Sequence, residues 1–67
     1  MTRISLNGKE QQVPDDALVT DLVALLDAAD RGCAVAINDE VVPRAQWSAR
    51  RVCDGDRVEI LVAVQGG

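Results

Sequence analysis

Residues 54–67 read DGDRVEILVAVQGG. Asp54-Gly55-Asp56 is a turn signal: glycine supplies positive φ, and aspartate side chains bond nearby backbone. From Arg57 the chain then alternates. Val58, Ile60, Val62 and Val64 fall on one face, and Arg57, Glu59, Leu61 and Ala63 on the other. This is the longest strand candidate, and its continuous apolar face suits the centre of a sheet, beside the first strand. Gln65 leads out of it, and Gly66-Gly67 follow without side chains.

The rest of the chain builds a partner for that face. TRISLNGKEQQV (residues 2–13) predicts a hairpin, with Ile4 and Leu6 facing inward. Asn7-Gly8 is its turn, because both central positions of a type I′ turn need positive φ. The return strand, Lys9 to Val13, is polar except at Val13 and reads as an edge strand. Val19, Leu22, Val23, Leu26 and Ala29 make one stripe on a helix running from about Val19 to Asp30. Asp15, Asp16 and Asp21 lie where carboxylates favour the helix dipole, and Gly32 fits just past the end. CAVAIN (residues 33–38) predicts a strand buried on both faces. Glu40 to Pro43 predicts a short strand halted by the proline. Residues 44–52, RAQWSARRV, have room for one helical turn.

The order is therefore β-β-α-β-β-β, an α+β fold with one helix on one mixed sheet. Residues 1–64 form the domain, and residues 65–67 a flexible tail. With 67 residues there is one small core and little room for a deep cleft. The chain has net charge -4 and pI near 4.4, so it lacks the positive footprint of a nucleic-acid or anionic-membrane binder. No run approaches a membrane span and the N-terminus has no apolar signal core, so a cytoplasmic location is expected.

Catalytic apparatus is missing from the sequence. It contains no histidine, the commonest general base and metal ligand. Asp54-Gly55-Asp56 lacks the ladder of a calcium loop, and Asn7-Gly8-Lys9 lacks the rest of a phosphate loop. Cys33 and Cys53 lack CxxC spacing and read as buried or half-buried thiols. Trp47, the sole aromatic residue, reads as a packing element, and Arg50-Arg51 as a solvated pair. No catalytic residue, bound cofactor or metal is expected in this chain.

The tail offers different chemistry. A terminal carboxyl is ionised at neutral pH, and a carboxylate must be activated, for example by adenylation, before sulfur or nitrogen attacks it. Glycines lack Cβ, so the walls of a narrow pocket can close on the backbone. Gln65 to Gly67, extended, reach roughly 10 Å beyond the last strand residue. A glycine pair alone could equally be inert.

Three stretches together resemble the ThiS sulfur carriers of thiamin biosynthesis: AINDEVVPRAQW (residues 36–47), DGDRVEILVAV (residues 54–64) and the terminal Gly66-Gly67. The hairpin and TDLVALL (residues 20–26) fit the same pattern. Leu18 departs from it, where a Thr-type helix cap is expected. The resemblance implies a ubiquitin-like β-grasp fold. It also implies that a ThiF-like adenylyltransferase uses ATP and magnesium to adenylate Gly67. Sulfur from a cysteine desulfurase or another donor then gives a Gly67 thiocarboxylate, which supplies the thiazole synthase ThiG. On this reading Gln65 and Gly66 enter the partner's active site, and the chain is a co-substrate, not an enzyme. Leu61 and Ala63, on the face away from the helix, are candidate docking residues. A MoaD-type carrier for molybdopterin also ends in Gly-Gly, but VVPRAQW points to thiamin. A β-grasp interaction module with an inert tail is the reading from another class.

Overall fold

A computed structural model describes residues 1–26 and 32–62. Their order is β1 (Thr2–Leu6), β2 (Lys9–Val13), α1 (Val19–Leu25), β3 (Cys33–Ile37), β4 (Glu40–Val42), a 3-10 turn (Arg44–Gln46) and β5 (Arg57–Val62). The five strands form one sheet in the order β2-β1-β5-β3-β4. β5 is central, parallel to β1 and antiparallel to β3. This is the β-grasp arrangement expected. The boundary between residues 64 and 65, the helix beyond Leu26 and the strand end at Ala63 and Val64 lie outside the described residues.

Alternation decides which face is buried. Ile4, Leu6, Val35, Ile37, Val42, Val58 and Ile60 meet Val19, Leu22 and Val23 of α1 in one apolar core, with Trp47 and Val52 closing it. Trp47 is buried, and its indole N–H donates to Val42 C=O at 2.9 Å, so its polar edge is satisfied as packing demands. The guanidinium of Arg44 sits over the ring, 5.5 Å from its centroid.

Three expectations change. β3 is not buried on both faces: Val35 and Ile37 point into the core, while Ala34 is exposed and Ala36 half-buried. An all-apolar run looks double-sided, but here its alternate positions are alanines facing out. Leu26, assigned to the buried stripe, is the C-cap of α1 and 39% exposed. Cys53 is exposed rather than buried, while Cys33 is half-buried as expected, and both are free thiols.

The hairpin turn has φ +51 at Asn7 and +84 at Gly8, as a type I′ turn requires. β3 and β4 are joined through Asn38 and Asp39, which also have positive φ without glycine. α1 starts at Val19 after Leu18, whose side chain can accept no bond. Half a capping box remains, because Leu18 N–H donates to the Asp21 carboxylate at 2.8 Å. The next two N–H groups find loop carbonyls: Val19 donates to Arg50 C=O (3.0 Å) and Thr20 to Trp47 C=O (3.3 Å). No described helix is long and apolar enough to cross a membrane.

Candidate functional site: the last strand and its open face

Everything that could present Gly67 depends on how β5 is held. Its entry is fixed by polar residues of two turns. Arg3 N–H donates to the Asp54 carboxylate at 2.9 Å, and Gly55 N–H donates to Arg3 C=O at 2.8 Å. Gly55 sits at φ +87, where only glycine is unstrained. Asp56, 9% exposed, accepts from Cys53 N–H (2.8 Å) and from the Asn38 side-chain amide (3.1 Å). The Asn38 side-chain oxygen in turn accepts from Arg57 N–H at 2.9 Å. Asp56 and Asn38 thus bind the 54–56 turn to the β3–β4 turn, one on each side of the strand's first residue.

Further along, the Asn7 carboxamide holds Ile60 on both sides of its backbone. Ile60 N–H donates to Asn7 Oδ1 at 2.8 Å, and Asn7 Nδ2 donates to Ile60 C=O at 3.2 Å. A shallow groove beside this contact is lined by Ser5, Asn7, Gly8, Arg57, Glu59 and Leu61.

The sheet face away from α1 has a polar half and an apolar half. Arg3, Ser5, Arg57 and Glu59 supply the first. Arg57 pairs with Asp39 and lies 3.8 Å from Glu59. Leu61, 71% exposed, lies opposite Ala34 on β3. Ala36 lies opposite Val41 on β4, which is 75% exposed. Leu61 and Ala34 therefore lie toward the end to which β5 runs, with Ala36 and Val41 in the next row, where Glu59 sits opposite Ala36. Leu61 was legible from alternation. Ala34 and Ala36 were hidden in an apolar run, where only the small-large alternation of CAVAI marks them as outward, and Val41 in a short apolar strand.

Gly67, Gly66, Gln65 and Ala63 lie outside the described residues. Among the described residues, no three histidine, cysteine or acidic side chains group as metal ligands would. The Asp15 carboxyl is held below its ordinary range by hydrogen bonds from the Met1 ammonium and then the Thr2 hydroxyl. It ties the start of β1 to the loop before α1, far in sequence from the tail. The expected solvated pair Arg50-Arg51 is exposed, although Arg51 also donates to Asp15 C=O at 2.9 Å.

Comparison with known proteins gives one consistent answer. Residues 2–67 match the model of the ThiS family. The sulfur carrier protein ThiS of Escherichia coli (strain K12) is 35% identical over 65 residues, covering 97% of this chain and 98% of that protein. A thiazole synthase of Paramagnetospirillum magneticum is 32% identical over 65 residues, which are 97% of this chain but 20% of that protein. The crystal structure of a thiamine biosynthesis protein (ThiS) from Geobacter metallireducens superposes with a TM-score of 0.79 at 35% identity, covering 98% of this chain and 100% of that one. A solution structure of a thiamine biosynthesis protein from Geobacter metallireducens gives 0.80, with coverage of 98% and 88%. A full-length match in sequence joined to a match in fold places the chain in a family: it belongs to the ThiS family.

Proposed function

We propose that this chain is the sulfur carrier for thiazole formation in thiamin biosynthesis, and that the Gly67 carboxylate is its reacting group. The observation that carries the reading is the family match, which runs unbroken from residue 2 to residue 67 and so includes the glycine pair. A carboxylate oxygen of Gly67 attacks the α-phosphorus of ATP held with magnesium by a ThiF-like partner. The bond to the β-phosphate oxygen breaks, and pyrophosphate leaves. The terminal sulfur of a persulfide, loaded by a cysteine desulfurase or another donor, then attacks the acyl carbon, and AMP departs. A second thiol cleaves the resulting S–S bond and becomes oxidised in a disulfide, which frees the thiocarboxylate. Thiazole synthase takes up that sulfur. Its place as a partner is supported by the thiazole synthase whose sequence contains a segment similar to this whole chain.

This chain contributes a handle and a reach. The apolar surface of Leu61, Ala34, Ala36 and Val41 seats the carrier on its activating partner. Gln65 leads into the partner's active site, and Gly66 passes where a Cβ would block the way.

ATP–pyrophosphate exchange by the ThiF-like enzyme tests this. Exchange depends on the wild-type chain and is lost when Gly67 is deleted. Leu61→Asp, at an exposed position, raises the KM for the carrier with the fold retained. Exchange that proceeds equally with the Gly67 deletion contradicts the reading.

A further inference from the structure

Asn7 does something its turn does not require. A type I′ turn accepts glycine at both central positions. The Asn7 carboxamide nonetheless reaches 53 positions along the chain, donates to Ile60 C=O and accepts from Ile60 N–H, both part-buried. Backbone pairing of β1 with β5 stops at Leu6 opposite Val58, and Asn7 N–H then donates to Val58 C=O at 2.9 Å. A carboxamide has the donor and acceptor of a peptide group, so the Asn7 side chain extends the ladder by one step after its strand has turned away. Among the described residues, β1 and β2 pair with nothing beyond Ile60. Asn7 is the last tie on that edge as the chain runs toward Gly67.

We propose that Asn7 is a positioning residue for tail activation: its grip on Ile60 sets the direction in which β5 delivers the Gly67 carboxylate to ATP. The proposal rests on the carrier reading. Beyond Ile60 the strand stays paired with β3 as far as Val62, so Asn7 fixes the β1 side of the strand end from which the tail departs. Misplacement of about 1 Å at a reacting centre costs on the order of 100-fold in rate.

The test compares wild-type chain, Asn7→Gly, Asn7→Asp and Val52→Ala at a temperature where all are folded. Asn7→Gly keeps the turn and loses both bonds. Asn7→Asp keeps the turn and loses the donor. Val52→Ala weakens the buried core at a position outside β5. Amide exchange at Ile60 and the kinetics of tail adenylation are measured on each. Asn7→Gly exchanges faster at Ile60, and its kcat falls on the order of 10-fold or more while the KM for the carrier stays within about twofold. Asn7→Asp keeps the acceptor for Ile60 N–H, so its exchange stays near wild type and its kcat falls less than in Asn7→Gly. Val52→Ala keeps the wild-type kcat. The proposal is overturned by a wild-type kcat in Asn7→Gly, by unchanged exchange at Ile60 in that variant, by a loss that falls on KM, or by an equal loss in Val52→Ala. A wild-type chain that is never adenylated overturns the carrier reading and this proposal with it, a distinct result.

Discussion

At the scale of single residues, three polar side chains carry more of the site than any apolar one. Asp56 accepts bonds from Cys53 N–H and Asn38, while Asn7 holds Ile60. A buried donor deprived of its acceptor costs about 1–3 kcal/mol. Asp56→Ala should therefore lower stability by about 2 kcal/mol, seen as a lower denaturant midpoint with an unchanged slope. Asp56→Asn, which retains one carbonyl acceptor, should recover part of that loss. A midpoint unchanged in Asp56→Ala would mean that water replaces these bonds. The sequence marked residues 54–56 as a turn because Asp-Gly-Asp has local chemistry. It did not mark Asp56 as buried, because a partner 18 positions away leaves no local pattern. Asn7 was legible as a turn residue for the same local reason, and its bonds to Ile60 were hidden for the same long-range one.

At the scale of elements, α1 illustrates how tertiary bonds substitute for a missing local signal. Leu18 is a poor N-cap by intrinsic preference. The helix still starts at Val19, because carbonyls of Trp47 and Arg50 accept its first N–H groups and Asp21 accepts from Leu18 N–H. Leu18→Thr should then gain less than the ~1 kcal/mol a good cap usually adds, measured as the shift in thermal midpoint. A full gain would mean that the loop carbonyls bind weakly. Strand periods were read correctly for β1 and for the described part of β5, where polar and apolar residues alternate. β3 misled because alanine counts as apolar wherever it points. Size, not polarity, separates its outward Ala34 and Ala36 from its inward Val35 and Ile37.

At the scale of the whole molecule, the β-β-α-β-β-β order and the central place of β5 follow from burying one helix stripe against one sheet face. On the proposed reading, the fold uses that core to hold a strand, and the strand to present a carboxylate. The reacting group itself has no side chain, so physical reading of the sequence could only make it possible; the family match over residues 2–67 gives it a context. The central claim is that Gly67 becomes a thiocarboxylate. Intact-mass measurement after incubation with ATP, magnesium, a ThiF-like enzyme, a desulfurase, cysteine and a thiol reductant tests it most directly. The account predicts the mass gain of one oxygen replaced by one sulfur, located at Gly67 by fragmentation and absent when one residue is appended after it. An unmodified mass under conditions that charge an authentic carrier, or equal loading of the uncleaved extended chain, would contradict it.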